Sequence, residues 1–172
     1  MPNRQTSPRI TVVGVSGDTL PPRADTVLGE VDLVVGATRL LDRFAPSGKR
    51  RMILNGDLPA VLDQVANEAG RVCVLASGDP GFFGIVRALS QRFGADQLDV
   101  HPSPSSVSLA FARLGLPWDD ALVVSAHGRP LADAAHAVAA APKVAVLTAP
   151  GSPPEALGQS LLRLGATYKR VV

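Results

Sequence analysis

Short apolar segments rich in β-branched residues alternate with amphipathic segments along almost the whole chain. The apolar segments are mostly uninterrupted, as in parallel strands that are buried on both faces. The segments between them repeat apolar residues at helical spacing. We predict strands at Arg9–Val15, Asp32–Val35, Arg71–Ala76, Leu98–His101, Ala121–Ser125, Lys143–Leu147 and Tyr168–Val172, and helices at Thr38–Phe44, Leu58–Ala69, Phe82–Phe93, Ser106–Leu114, Leu131–Ala140 and Glu155–Leu164.

Residues with known boundary preferences mark several of the predicted helix ends. Asp57 stands where an N-cap is expected, because its carboxylate accepts hydrogen bonds from the first helical N–H groups. Gly70, Gly94, Gly115 and Gly165 follow helical segments, where glycine adopts the left-handed conformation that ends a helix.

Alternating strands and helices predict an α/β fold with a mainly parallel sheet, whose ligands bind at the carboxyl ends of the strands. The segment Gly115–Trp118 interrupts a helix and restarts the pattern. We therefore expect two α/β lobes, Met1–Leu114 and Gly115–Val172.

Composition restricts the class of protein further. The chain has 172 residues, of which 46% are hydrophobic and 19% charged, with a net charge of +2. Disorder is excluded, and no apolar run reaches the roughly 18 residues that cross a bilayer. The polar opening MPNRQTSPR does not resemble a secretory signal, and the single cysteine, Cys73, is expected in the core of a protein from a reducing compartment. We expect a cytoplasmic protein that binds neither membrane nor nucleic acid.

Arginine strongly outnumbers lysine, which is represented only by Lys49, Lys143 and Lys169. An anionic ligand explains this excess, since guanidinium groups bind carboxylate and phosphate in a two-pronged fork. A compositional bias towards Arg and Ala explains it equally well.

Three predicted strands end in unusual loops. The first, Val13–Asp18, has glycines that permit close approach of a ligand or a second backbone, and it also fits a simple tight turn. The second, Ala76–Gly84, combines three glycines, a proline and two aromatic residues around Asp79. It fits a ligand loop or a β-turn in which Asp79 caps the next helix. The third, His101–Ser106, offers two hydroxyl groups that either cap a helix or face a ligand.

Several common chemistries lack their motifs. No phosphate-binding loop with a lysine is present, and the three histidines are too scattered to form a metal site. The segment Gly14–Gly17 is one residue short of a nucleophile elbow. We expect no metal and no hydrolase activity.

Taken together, the loops resemble the tetrapyrrole methylases, and within them the precorrin-6Y C5,15-methyltransferase branch that methylates C5 in cobalamin biosynthesis. The resemblance runs in order from Ile10 to Val172. It rests on Gly14–Asp18, Val34–Phe44 (VVGATRLLDRF), Leu75–Ile85 (LASGDPGFFGI), Pro102–Ala121 and Val124–Arg129 (VSAHGR).

The resemblance implies a two-lobed C-methyltransferase that uses S-adenosylmethionine and releases S-adenosylhomocysteine. It implies that the backbone of Ser77, Gly78 and Asp79 holds the methionine part of the cofactor. Contacts from Ser105 and Ser106, and from Thr148 near the adenine, are implied as well.

For the substrate, a precorrin-type tetrapyrrole, the resemblance implies contacts from Gly14, Ser16, His127 and Arg129. Arg129 is the candidate partner of the acetate and propionate groups. Asp79 is the candidate catalytic carboxylate.

The resemblance further implies a homodimer and a partner domain that methylates C15 and decarboxylates. Family members continue beyond the position of Val172, so the second lobe is expected to be shorter than theirs. Methylation at another ring carbon, or a silent module that needs a partner domain, remain as alternatives.

Overall fold

The computed structural model describes residues 9–126 and 130–166. The chain divides into two compact units, with the boundary between Ser106 and Val107. In the described part of the chain, no helix combines the length and the apolar character that a membrane crossing requires.

The first unit is built on a five-stranded parallel sheet with the strand order β3-β2-β4-β1-β5. A short 3-10 turn at Ala95–Gln97 leads into the last of these strands. The strands are β1 (Ile10–Val15), β2 (Leu33–Gly36), β3 (Arg50–Ile53), β4 (Val72–Ser77) and β5 (Leu98–His101), and the helices are α1 (Ala24–Glu30), α2 (Thr38–Phe44), α3 (Leu58–Ala66) and α4 (Val86–Phe93).

Two hydrophobic clusters cover the two faces of this sheet, because neighbouring residues of a strand point to opposite sides. Val13 and Val15 of β1 pack with residues of α1 and α2 on one face. Ile10 and Val12 pack with residues of α3 and α4 on the other. The central strands are therefore buried on both faces, as the apolar segments predict. Cys73 lies in this core, where burial raises the pKa of its thiol to about 12.

The second unit contains a two-stranded parallel sheet, in which Leu122 pairs with Val144 and Ser125 with Leu147. Its strands are only partly buried, apart from Ser125 at the end of β6. The elements are α5 (Ser106–Leu114), which begins at the boundary, β6 (Leu122–Ser125), α6 (Leu131–Ala139), β7 (Val144–Leu147) and α7 (Pro154–Arg163).

The α/β class and most of the predicted elements are confirmed, with bounds shifted by one residue or a few. Two elements were missed, α1 and the edge strand β3. The predicted strand Tyr168–Val172 lies outside the described residues.

The predicted end of α3 was wrong. The helix ends at Ala66 rather than Ala69, and Arg9 donates from Nη2 to the carbonyls of Val65 and Ala66 at 3.1 and 3.2 Å. These contacts satisfy carbonyls that the end of a helix leaves without partners. Gly70 therefore does not end the helix, and unlike the other three glycines it does not have a positive φ.

Candidate functional site

The carboxyl ends of β4, β1 and β5 lie side by side, so the three loops singled out in the sequence meet at one edge of the sheet. The Gly78 amide donates to the carbonyl of Val15 at 2.7 Å. Ser103, which is buried, donates from its hydroxyl to the carbonyl of Gly14 at 2.9 Å. Backbone and hydroxyl hydrogen bonds thus connect the loops directly.

Gly14 is the point of closest approach among these loops. A Cβ atom at this position would overlap the carbonyl oxygen of Gly78 and would lie 2.7 Å from the amide nitrogen of Ser103 and 2.9 Å from Cδ of Pro80. No side chain fits in this space. The glycine is therefore explained by the approach of a second and a third backbone, which is one of the two interpretations of the first loop.

Gly78 has φ +67°, a conformation that favours glycine, and it faces the start of α5. The position of its missing Cβ is 3.6 Å from Cα of Ser105 and 3.9 Å from the amide nitrogen of Ser106. Ser106 is the first residue of α5, where backbone N–H groups lack helical acceptors and favour an anionic group. This glycine cradle thus lies against the backbone of Pro104, Ser105 and Ser106 at the start of α5.

The second loop, Ala76–Gly84, contains Gly78, Asp79 and Pro80 and is called the Gly-Asp-Pro loop below. It is held mainly by contacts between its own residues. Asp79 accepts a hydrogen bond from the Gly81 amide at 2.8 Å, and the Phe82 amide donates to the Asp79 carbonyl at 3.1 Å. The Val86 amide reaches back to the carbonyl of Pro80 at 3.1 Å. The helix therefore begins at Val86 rather than at Phe82, and Asp79 caps the turn instead of the helix. The predicted helix start at Phe82 was wrong, and of the two interpretations left open for this loop, the one in which Asp79 caps the helix does not hold.

Phe83 adopts an unusual backbone conformation within this loop. Its φ is +53°, which costs a residue with a side chain about 1–2 kcal/mol. Its side chain is 46% exposed, and the Phe82 ring meets it edge-on with the centroids 5.1 Å apart.

Two arginines of α2 also reach this edge, and the sequence analysis did not select them. Arg39 donates from Nη2 to the hydroxyl of Ser77 at 3.3 Å, and Arg43 pairs with Asp18 at 3.4 Å. Because they are four residues apart, they lie on the same face of the helix. Their place just after the end of β2 was the signal that could have found them.

The first loop is a tight turn. Ser16 and Thr19 exchange backbone hydrogen bonds at 3.1 and 3.0 Å, and Gly17 has φ +58°. Asp18 is exposed at its tip, next to Arg43.

In the second unit, Thr148 follows β7 directly and is exposed. The amide of Ala126, just after β6, donates to the carbonyl of Leu147 at 2.9 Å, so the ends of these two strands are neighbours. His127 and Arg129 lie outside the described residues.

Within residues 9–126 and 130–166, no group of three or more His, Cys, Asp or Glu side chains is arranged to hold a metal ion.

A parallel sheet whose carboxyl edge carries closely packed glycine loops is the arrangement at which α/β proteins typically bind small ligands. The family described as tetrapyrrole (corrin/porphyrin) methylases matches residues 9–172. The chain belongs to this family of methyltransferases, as its loops predicted.

Two curated relatives match nearly the whole chain. A decarboxylating precorrin-6Y C(5,15)-methyltransferase from a Sinorhizobium species is 35% identical over 96% of this chain and 41% of its own length. The chain thus spans about two fifths of that relative. A cobalt-precorrin-7 C(5)-methyltransferase from Salmonella typhimurium is 30% identical over 95% of this chain and 82% of its own length.

The fold also matches a solved structure. The methyltransferase CobJ superposes with a TM-score of 0.70 over 91% of this chain and 76% of that chain, at 23% identity. This similarity confirms the predicted α/β tetrapyrrole methylase fold.

Proposed function

We propose that the chain is an S-adenosylmethionine-dependent C-methyltransferase that methylates a precorrin-type tetrapyrrole at C5 in cobalamin biosynthesis. The observation that carries the proposal is the match to two relatives of different length whose names both contain C5 methylation. The Salmonella relative is covered over 82% of its length, so the match includes most of an enzyme named for C5 alone.

For the cofactor, we propose the binding residues Ser77, Gly78, Asp79, Ser105, Ser106 and Thr148. The cradle at Gly78 and the amide of Ser106 support this assignment, because together they suit the methionine carboxylate. When bound, S-adenosylmethionine supplies a methyl group that its sulfonium already activates. The residues of the chain then have to align the reacting carbon and exclude water.

For the substrate, we propose contacts from Gly14, Ser16, His127 and Arg129. The Cβ position of Gly14 is taken by the neighbouring loops and its carbonyl accepts from Ser103, so we assign it the role of holding these loops together beside the substrate. Asp79 is the candidate catalytic carboxylate. Its Oδ1 accepts a hydrogen bond from the Gly81 amide, which restricts the orientation of the carboxylate.

We further propose functional lobes at 1–114 and 115–172 and a homodimer in the cytoplasm. A partner domain would carry out C15 methylation and decarboxylation. The name of the Sinorhizobium relative supports the partner domain, because it joins C5 and C15 methylation with decarboxylation. Sedimentation with and without a C15-methylating domain tests the homodimer and the partner domain.

Calorimetric titration with S-adenosylhomocysteine tests the cofactor, and methyl transfer to cobalt-precorrin-7 and precorrin-6Y tests the substrate. We expect saturable binding and a product methylated at C5. Methylation at another ring carbon, or binding without turnover until a partner domain is added, would support the two alternatives. Folded protein that does not bind the cofactor product would refute the proposal.

The Gly-Asp-Pro loop is tested by Asp79→Ala and Gly78→Val. Both should abolish methyl transfer, the first by removing the proposed carboxylate and the second because valine is strained at a φ of +67°. The matched control is Asp25→Ala, which removes an exposed carboxylate from α1 and should keep the wild-type rate. An undiminished rate in either loop variant would contradict the assignment.

A further inference from the structure

Phe83 is exposed although its loop is rigid. Three hydrogen bonds join residues within and just after this loop: Gly81 to Asp79, Phe82 to Asp79 and Val86 to Pro80. Gly84 also lies so close to the carbonyl of Pro80 that a Cβ would overlap it. The loop therefore has little freedom to turn the Phe83 ring inward.

The fold does not use this ring for its core. Ile85 and Val86, two and three residues further on, pack against the buried cluster of β1, α3 and α4, whereas Phe83 remains 46% exposed. Phe82 supports it from the side in a T-shaped arrangement, with the ring planes at 88°. An aromatic ring in a strained conformation, supported and yet exposed, is the kind of outlier from which a functional role is inferred.

The surrounding charges indicate which molecule covers the ring. Arg39 and Arg43 reach the same edge through Ser77 and Asp18. The edge thus combines an exposed apolar ring with the guanidinium groups of Arg39 and Arg43 and the carboxylates of Asp18 and Asp79. A tetrapyrrole has the complementary form, because its macrocycle has a broad apolar face and carries carboxylates around its periphery. The cofactor also has a flat group, its adenine, but its carboxylate belongs to the methionine part, which we place at Gly78.

We propose that Phe83 is the platform against which the face of the tetrapyrrole macrocycle lies, and that it positions the substrate without taking part in the chemistry. This inference rests on the proposed function. It explains why the loop keeps a large residue at a φ that favours glycine.

The test compares Phe83→Gly with Phe83→Tyr and with the control Val100→Ala, which shortens an exposed apolar side chain on β5. Glycine adopts the observed φ without strain, so Phe83→Gly should fold at least as stably as the wild type by urea denaturation. The metal-free corrin hydrogenobyrinic acid, which has free peripheral carboxylates and no axial ligands on its faces, is the substrate probe, and S-adenosylhomocysteine is the cofactor probe.

We expect Phe83→Gly to weaken corrin binding about tenfold, as for the loss of one aromatic contact, and to raise KM more than it lowers kcat. Phe83→Tyr should stay within about twofold of the wild type, because the ring remains. All variants should bind S-adenosylhomocysteine equally.

The inference is overturned if Phe83→Gly binds the corrin with wild-type affinity. If the same variant also binds S-adenosylhomocysteine more weakly, the ring is assigned to the adenine instead. A wild-type protein that binds the corrin through Phe83 but does not bind S-adenosylhomocysteine would support the inference and refute the proposed function. A protein that binds neither probe would overturn both.

Discussion

At the scale of single residues, Gly14 is where the candidate site tolerates the least additional volume. Its neighbours come from two other loops, and two of the three closest atoms belong to backbone. Backbone atoms cannot move aside as the end of a flexible side chain can. The arrangement of the loops after β1, β4 and β5 therefore depends on the absence of one methyl group.

Gly14→Ala should lower the free energy of unfolding by about 1–3 kcal/mol, the usual cost of overpacking. It should also weaken S-adenosylhomocysteine binding, because Gly78 would be displaced. Urea denaturation and calorimetry measure the two effects.

The control for this variant is Gly29→Ala in α1, where a Cβ meets nothing within 4 Å. Alanine favours helix over glycine, so we expect an increase in stability of up to about 1 kcal/mol. Equal stability of the two variants would show that the loops after β4 and β5 adjust to the added methyl group.

At the scale of elements, the edge strand β3 is attached to the end of α3 by an ion pair. Nη2 of Arg50 lies 2.7 Å from Oε1 of Glu68, which stands two residues after the last residue of α3 and has a side chain that is only 14% exposed. The pKa of Glu68 is lowered below its usual value, most strongly by the hydrogen bond from Arg50 and next by the hydrogen bond from the Gly70 amide. The ionised carboxylate is thus favoured in the folded state.

A lowered carboxyl pKa stabilises the protein at pH values above the ordinary pKa of about 4.3, and the stabilisation is lost as the pH falls through the folded-state pKa. Glu68→Gln should therefore unfold at lower urea than the wild type at pH 7, and the difference should disappear in acid. Glu30→Gln is the matched control, because its pair with Arg71 is half exposed and should matter less. A difference that persists unchanged in acid would contradict this account.

Elements with strong local patterns were predicted from the sequence, and those that depend on distant residues were not. The helices Thr38–Phe44 and Ser106–Leu114 and the strand Leu98–His101 were predicted with their observed bounds. The strand Arg50–Ile53 was missed, because its two arginines interrupt the apolar pattern from which strands were predicted. The segment becomes a strand by pairing with β2.

The same distinction holds in the candidate site. The sequence indicated the Gly-Asp-Pro loop, but its apolar residues also fitted the first turn of a helix. Only the contacts of Asp79 and Pro80 with the following amides show that the helix begins later. Arg39 was missed because its contact with Ser77 joins residues 38 positions apart.

At the scale of the whole molecule, the two units differ in how deeply their sheets are buried. All six residues of β1 and all four of β2 are buried, whereas in β6 and β7 only Ser125 is. Strands with little buried apolar contact open at a lower free energy than core strands.

Amides of β6 and β7 should therefore exchange with deuterium at least about tenfold faster than those of β1 and β2, which corresponds to about 1.4 kcal/mol in opening free energy. Peptide-level mass spectrometry measures the rates, with the buried strand β4 as internal reference. Equal protection in the two units would contradict the expectation.

The strand order of the first unit also has a consequence for folding during synthesis on the ribosome. Strand β1 is a central strand, and its Ile10 pairs with Val72 and Leu98, which are translated much later. Until β4 emerges, the nascent chain carries an apolar strand without either of its neighbours, and such strands are prone to aggregate. We therefore expect β1 to remain unpaired while roughly the next sixty residues are translated, a delay that follows from its pairing with β4.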